Sequence, residues 1–374
     1  MLIAYVLIFL FVMLLSFFVC QIMKRYAADY FGLVDSPSER KIHERPIPSA
    51  GGIGIFVGVV GFFAICQLII FVLLQFPTLV PESISIRLDG LMQRSFQLWT
   101  LLGLSTIMML LGAFDDRFNL HWLIRILVQT TVAIVAVWQG WRLTIFIDFP
   151  ILTSILSVIW IVGLTNSFNM LDNMNGLSGG IAVICGSFLA TVMFISPNPE
   201  SLEPQFFVAG FLIVLIASII GFLLHNNPFY ASLFMGNSGS YFIGFLMSIL
   251  TLIATFTSDD QLPQTIFVPI IILAVPLYDM ISVITIRIKN GKSPFEGDKN
   301  HFSHRLVKLG MSRTQSVLTI YLATIICCIG AILLYQVNFY GAILIVLQTI
   351  MTLSIIAILE LTAKYKDNQN KNDT

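Results

Sequence analysis

Long apolar runs constrain the fold of this chain more than any other feature of its sequence. Residues 2–19, 53–74 and 342–361 each approach the roughly 20 apolar residues that a helix needs to cross a bilayer. Charged residues make up only 11% of the 374 residues, against about 25% in soluble domains. Because a soluble fold cannot bury that much apolar surface, and because the runs are too continuous for a barrel, we predict an all-α integral membrane protein.

The predicted architecture is a single polytopic helical bundle of about 11 transmembrane helices. Polar, proline and glycine breaks separate the apolar runs from one another. The predicted spans are 2–23, 51–74, 97–113, 122–139, 151–167, 179–196, 205–224, 238–257, 264–286, 314–334 and 339–361. Residues 1–361 then form one membrane domain, and residues 362–374 form a short polar tail.

The positive charges predict how the chain is oriented in the membrane. Of the 20 Lys and Arg residues, only Arg87, Arg94 and Arg142 fall in loops on one side. The positive-inside rule makes the other side cytoplasmic, so the N-terminus is predicted outside and the C-terminus in the cytoplasm. The first run should stay as a membrane helix rather than act as a signal peptide, because Lys24 and Arg25 follow it.

Composition excludes several other functional classes. All the cysteines fall inside apolar segments without metal-ligand spacing, so neither a disulfide framework nor a zinc site is expected. These are Cys20, Cys66, Cys185, Cys327 and Cys328. No basic patch interleaved with aromatic residues occurs, so we expect no nucleic-acid partner.

Polar residues gather in five stretches, all on the predicted cytoplasmic side. Ionisable groups near a bilayer are costly, so this clustering calls for a functional explanation. The first stretch, 32–52, places several cations ahead of a glycine pair that opens a helix, namely Arg40, Lys41, His43 and Arg45. Cations and free amides at a helix start favour an anion such as a nucleotide diphosphate, although an ordinary positive-inside loop is the alternative.

The second stretch, 112–120, has the adjacent acids Asp115 and Asp116 at a membrane helix end. Neighbouring carboxylates repel each other unless a cation or a proton shares the site, which suits Mg²⁺ binding or proton abstraction. The alternative is a solvated helix cap with Arg117 as partner.

The third stretch, 166–180, carries Asn169, Asp172 and Asn175 three residues apart. In a helical turn this spacing places their oxygens on one side. Such a row could hold a hard cation, or could bind a nucleobase or sugar by hydrogen bonds; a plain polar loop is the alternative.

The fourth stretch, 234–245, is a Gly-Asn-Ser-Gly-Ser turn that starts a helix. Its amides and the Asn237 side chain could face a phosphate or a metal-bound ligand. A small-residue motif for close helix packing is the alternative.

The fifth stretch, 276–313, is long and rich in ionisable side chains. They include Asp279, Lys292, Asp298, Lys299, His301, His304 and Arg305. The two histidines among these cations resemble a pyrophosphate clamp, since imidazole exchanges protons near neutral pH. A positive loop without such a role is the alternative.

In this order the stretches resemble one membrane family, the polyprenyl-phosphate N-acetylhexosamine-1-phosphate transferases, and in particular its WecA and TagO branch. The family also contains the peptidoglycan enzyme MraY. The matching motifs are GLVDSPSERKIH, GAFDDRF, FNMLD, FMGNSGS and SPF, and the likeness covers roughly residues 30–315.

The resemblance implies a reaction at the cytoplasmic face of a bacterial inner membrane. Undecaprenyl phosphate would attack the β-phosphate of a UDP-amino sugar, giving a lipid-linked pyrophosphoryl sugar and UMP as the first step of a cell-surface glycan. The implied cofactor is Mg²⁺, with Mn²⁺ as a substitute, and the resemblance allows a homodimer.

The resemblance also assigns roles to individual residues. The predicted catalytic residues are Asp115, Asp116, Asp172 and His301. The predicted substrate-binding residues are Lys41, Asn175, His304 and Arg305. The predicted metal ligands are Asn169, Asp172, Asn237 and Asp116.

Three positions depart from the pattern of the family. Asn175 and Asn237 stand where bacterial members carry Asp, and Ser303 stands where WecA has a further histidine. An Asn oxygen can bind a hard cation but brings no charge, so Asn237 should lower Mg²⁺ affinity. A catalytically weakened family member is therefore one alternative function, and the number of spans alone favours a transporter as the other.

Overall fold

Helices make up most of the computed structural model, which describes residues 2–27, 32–35, 47–76, 82–143, 149–196, 204–256, 262–294 and 301–372. They are α1 Leu2–Tyr26, α2 Gly51–Gln75, α3 Glu82–Phe118, α4 Trp122–Trp138, α5 Pro150–Leu171, α6 Leu177–Ile195, α7 Phe206–Leu223, α8 Gly236–Ile253, α9 Val268–Ile272, α10 Ala274–Lys289, α11 Phe302–Lys308, α12 Arg313–Leu333 and α13 Phe339–Asn372. A 3₁₀ turn, Pro263–Phe267, precedes α9.

Two short antiparallel strand pairs complete the described structure. Strand β1, Val34–Asp35, pairs with β2, Ile47–Pro48. Strand β3, Asn226–Asn227, pairs with β4, Tyr230–Ala231. These pairs are only two residues long, so the predicted all-helical character holds apart from them.

The predicted polytopic helical bundle is confirmed. In the described part of the chain, nine helices are long and apolar enough to cross a membrane, and a bent pair of helices raises the number to ten. Helix α4 is apolar but has only 17 residues. The predicted count of eleven and the predicted orientation of the termini stay predictions.

The predicted span at 264–286 is not one straight helix. Segments Pro263–Ile272 and Ala274–Lys289 are bent by 63° at Leu273. The physical cause is Pro276, which has no N–H to donate to the Ile272 carbonyl one turn earlier. The thiols of Cys185 and Cys328 meet that carbonyl instead, at 3.2 and 3.7 Å.

Helix α8 lies at the centre of the bundle, and 83% of its residues are buried. Three helices approach it closely at glycines. A Cβ added at Gly112 of α3 would lie 2.2 Å from the Asn237 carbonyl oxygen, and one added at Gly52 of α2 would lie 2.1 Å from the Gly239 nitrogen. On α8 itself, a Cβ at Gly244 would lie 2.7 Å from the Thr165 Cα of α5. Small residues thus let α2, α3 and α5 pack against α8, as is usual between membrane helices.

Gly112→Ala should lower the melting temperature of the purified protein by roughly 3 °C or more, because the added methyl group overpacks the α3–α8 contact. The matched control is Gly103→Ala on the same helix, where an added Cβ meets nothing within 4 Å. Thermal unfolding in detergent measures both variants. Equal melting temperatures for the two would contradict the close approach of α3 and α8.

Candidate active site

The two adjacent acids of α3 occupy different environments. Asp115 is buried, with 4% of its surface exposed. Its Oδ1 accepts from the Leu120 amide at 3.0 Å. Its Oδ2 accepts from Arg125 Nη1 at 3.1 Å, Asn237 Nδ2 at 2.9 Å and the Tyr241 hydroxyl at 3.2 Å. With four donors on its two oxygens, Asp115 links α3, α4 and α8.

Asp116 is half-buried and points at the first turn of α8. Its Oδ1 accepts from the Asn237 amide at 3.0 Å, and its Oδ2 accepts from the Ser238 amide at 3.3 Å. The first amides of a helix have no partner within the helix, and the helix dipole favours negative charge there. The sequence of the fourth stretch predicts that these amides face a phosphate or a metal-bound ligand; in the structure, two of them bind the Asp116 carboxylate.

Gly236 allows this arrangement of α8 and α3. Its φ of +72° lies in the left-handed region, and an added Cβ would lie 2.6 Å from Asp116 Oδ2. Glycine is the residue that reaches such a conformation without steric cost. The Gly-Asn-Ser-Gly-Ser turn therefore brings the α8 amides directly against the Asp116 carboxylate.

A second carboxylate, Asp172, reaches the same helix start. Burial, together with repulsion by the Asp116 carboxylate, raises the pKa of Asp172 to about 7, and a hydrogen bond from the backbone of Gly236 opposes that rise. The two carboxylates of Asp116 and Asp172 thus share one end of α8. Their mutual repulsion is relieved when a cation or a proton lies between them.

The third stretch is not the continuous helical turn that its spacing predicted. Helix α5 ends at Leu171, so Asn169 lies on its last turn while Asp172 and Asn175 lie in the following turn. Asn169 Nδ2 donates to Asn237 Oδ1 at 2.6 Å and to Ser240 Oγ at 2.9 Å. Asn175 is half-buried and makes no hydrogen bond within the described structure.

His301 forms a pair with an acid that the sequence did not single out as a site residue. Its Nδ1 lies 3.1 Å from Asp279 Oδ2, and both residues are buried. The other Asp279 oxygen accepts from the Phe302 amide at 2.7 Å. Asp279 therefore fixes both the histidine ring and the start of α11.

The remaining residues of the fifth stretch lie beside this pair. The His304 ring lies 6.4 Å from the His301 ring. Arg305 is buried, and its Nη2 donates to Ser282 Oγ at 2.8 Å. Ser303, a departure from the family pattern, donates to Asn173 Oδ1 at 2.5 Å and so ties α11 to the turn that carries Asp172.

Hydrogen bonds join all five stretches at one end of the bundle. The first contacts the fourth through the Gly51 and Gly52 amides, which donate to the carbonyls of Phe234 and Met235. The second and third meet the fourth at Asn237, and the fifth meets the third at Asn173. Lys41, predicted to bind the nucleotide, lies outside the described residues.

Two residues that sequence reasoning did not name as site residues are central to this cluster. They are Arg125, which is half-buried against Asp115, and Asp279, which is fully buried against His301. Both sit within predicted membrane spans. A lone ionisable residue inside an apolar helix is costly, and that signal marks positions of this kind.

The cluster suits the binding of a phosphorylated ligand through a hard cation. Within the described ranges, no three His, Cys, Asp or Glu side chains are arranged to hold a metal ion alone. Mg²⁺ usually takes one or two carboxylates and completes its shell with phosphate oxygens and water. The carboxylates of Asp116 and Asp172 fit that pattern, while both polar atoms of the Asn237 side chain are engaged by other residues.

Comparison with known proteins agrees with this chemistry. A family model described as glycosyl transferase family 4 matches residues 98–255. The chain is 35% identical, over 91% of its length and 87% of the relative's, to a probable undecaprenyl-phosphate N-acetylglucosaminyl 1-phosphate transferase of Bacillus subtilis.

Two further relatives come from other bacteria. An undecaprenyl-phosphate alpha-N-acetylglucosaminyl 1-phosphate transferase of Escherichia coli is 28% identical over 88% of this chain and 83% of its own. A decaprenyl-phosphate N-acetylglucosaminephosphotransferase of Mycobacterium tuberculosis is 29% identical over 82% of this chain and 77% of its own. The chain therefore belongs to the polyprenyl-phosphate N-acetylhexosamine-1-phosphate transferases of glycosyl transferase family 4, the family that its motifs predicted.

Proposed function

We propose that this protein transfers N-acetylglucosamine 1-phosphate from UDP-N-acetylglucosamine to undecaprenyl phosphate. An oxygen of the lipid phosphate attacks the β-phosphorus, the bond from that phosphorus to the bridging oxygen breaks, and UMP leaves. The product is undecaprenyl-pyrophosphoryl N-acetylglucosamine, the starting lipid of a cell-surface glycan. The observation that carries the proposal is the meeting of Asp116 and Asp172 at the start of α8, in a chain of this family.

We place the site at the cytoplasmic face of a bacterial inner membrane. The distribution of Lys and Arg supports this side. If the bent pair and the 17-residue α4 also cross the bilayer, the chain has the eleven predicted spans and its termini lie on opposite sides. The nucleotide sugar would then reach the site from the cytoplasm, while the lipid phosphate arrives within the membrane.

Asp116 and Asp172 are the residues that would hold Mg²⁺. When bound, Mg²⁺ neutralises the diphosphate and stabilises the charge that develops on the leaving UMP. Asp116 is oriented for this by the amides of Asn237 and Ser238, which bind it from the helix side. Asp115 orients the helices around it instead, because it is buried and its charge is already paired with Arg125 among four hydrogen-bond donors.

We assign His301 a role at the diphosphate. Asp279 engages Nδ1, which fixes the ring orientation and directs Nε2 away from the acid. Nε2 is then the ring nitrogen that donates to, or exchanges a proton with, a phosphate oxygen. Arg305 and His304 on the same short helix add charge and further donors, and Asn175 offers its amide to the nucleotide.

The proposed function is tested with purified protein, undecaprenyl phosphate, Mg²⁺ and a panel of UDP-amino sugars. We expect release of UMP with UDP-N-acetylglucosamine, dependent on both the lipid phosphate and the metal. UMP release is measured by a coupled assay, and the lipid product by mass spectrometry. Absence of turnover with every sugar of the panel would refute the proposal.

Asp116→Asn and Asp172→Asn should each lower kcat by about 100-fold or more, since each removes a charge that helps hold the metal and the diphosphate. The rate is measured over a series of Mg²⁺ concentrations, and half-maximal rate should require more Mg²⁺ in both variants. Wild-type rates in either variant would remove that carboxylate from the proposed metal site.

His301→Ala should lower kcat by about 100-fold to 10,000-fold, the usual contribution of a positioned acid or base. Asp279→Asn should lower kcat less, because the ring remains but loses its fixed orientation. The matched control is His121→Asn, since His121 is an exposed helix cap whose role an Asn can fill. A similar loss in the control would show a general effect of altering cytoplasmic histidines.

A further inference from the structure

The side chain of Asn237 lies between two other helices and contacts both. Its Nδ2 donates to Asp115 Oδ2 of α3 at 2.9 Å. Its Oδ1 accepts from Asn169 Nδ2 of α5 at 2.6 Å. Its backbone amide donates to Asp116 Oδ1 at 3.0 Å. One residue at the start of α8 thus joins α3 to α5.

The chemistry of the two neighbours fixes which way the amide points. The Asp115 carboxylate, which is paired with Arg125, accepts hydrogen bonds from all its neighbours, and the Asn169 NH₂ group only donates them. The residue between them must therefore donate on one side and accept on the other. A carboxamide does both, and reversing it would place two donors face to face and two acceptors face to face.

A carboxylate at position 237 would not fit this place. Its oxygen would lie near the Asp115 oxygen that the amide now contacts at 2.9 Å, with two acceptors in contact and like charges repelling each other. Asp115 is buried and already accepts from Arg125, Tyr241 and the Leu120 amide. Asn237 adds a neutral donor to this group and keeps further charge out of it.

We propose that Asn237 is a positioning residue of the transfer reaction and not a metal ligand. By joining Asp115 to Asn169, it fixes the position of the first turn of α8. Asp116 and Asp172 both contact that turn. This inference rests on the proposed function. The Asn at position 237, which departs from the family pattern, then has a positioning role in a working site. The sequence suggests instead that it is a weakened metal ligand.

The hydrogen bonds from Asn237 to Asp115 and Asn169 form a bridge between α3 and α5. The stability of the full chain in detergent, with a chelator present, tests this bridge without any metal. Asn237→Asp should lower the melting temperature by roughly 3 °C or more, because a repulsion replaces a hydrogen bond. The matched control is Asn175→Asp, which adds the same charge at a side chain that makes no hydrogen bond within the described part of the chain. The melting temperature of the control should fall clearly less. Equal losses in the two variants, or an unchanged melting temperature in Asn237→Asp, overturn the bridge.

The exchanged pair, Asp115→Asn with Asn237→Asp, supplies a sharper test. It restores one carboxylate and one amide at the same contact, so it should recover part of the stability lost in Asn237→Asp. A double-mutant cycle with both single variants gives the coupling between the two residues. Additive losses would mean that the two side chains do not interact, which contradicts the proposal.

Kinetics distinguish positioning from metal binding. In Asn237→Ala, kcat should fall by about tenfold or more while the Mg²⁺ concentration for half-maximal rate changes by less than about twofold. A large rise in that concentration with kcat kept would make Asn237 a metal ligand. If the native chain releases no UMP while the stability results hold, the proposed function fails and the bridge stands. If native turnover is robust but the stability results fail, the bridge alone is wrong.

Discussion

The amino end of α8 is the contact on which the rest of the site depends. At one end of the bundle, it presents backbone amides that its own helix cannot satisfy. Asp116 accepts from two of them, and Asp172 lies against Gly236. Two carboxylates can stand this close only because the helix dipole and these amides offset part of their repulsion. A cation bound between the two carboxylates would offset the remainder.

Close packing brings that helix end within reach of its neighbours. Gly112 and Gly52 have no side chain to hold α3 and α2 away from α8. The acid pair on α3, the amide on α5 and the glycine pair on α2 then converge on a few residues of α8. In lipid, such convergence comes from van der Waals contact and interhelical hydrogen bonds, since helices gain nothing there from excluding water.

Sequence reasoning found the polar stretches but not all of their internal geometry. Asp115 and Asp116 read as an equivalent pair, yet one is enclosed by four donors and the other faces the start of α8. Regular spacing suggested a single helical row from Asn169 to Asn175, but α5 ends between them. The different environments of the two acids could not be predicted, because they depend on donors from distant segments, such as Tyr241 and Asn237.

The sequence by itself determined the class of the protein, the existence of the spans and the family. Apolar length and the cost of unsatisfied backbone in lipid leave no alternative to helices. The motifs around Asp115, Asp172, Asn237 and His301 then favoured a phosphoglycosyl transfer over the alternative functions. The tertiary structure alone decided the bend at Leu273, the pairing of His301 with Asp279 and the bridge made by Asn237. These features arise from contacts between residues far apart in the chain, where the partner, and not the local sequence, sets the role of each side chain.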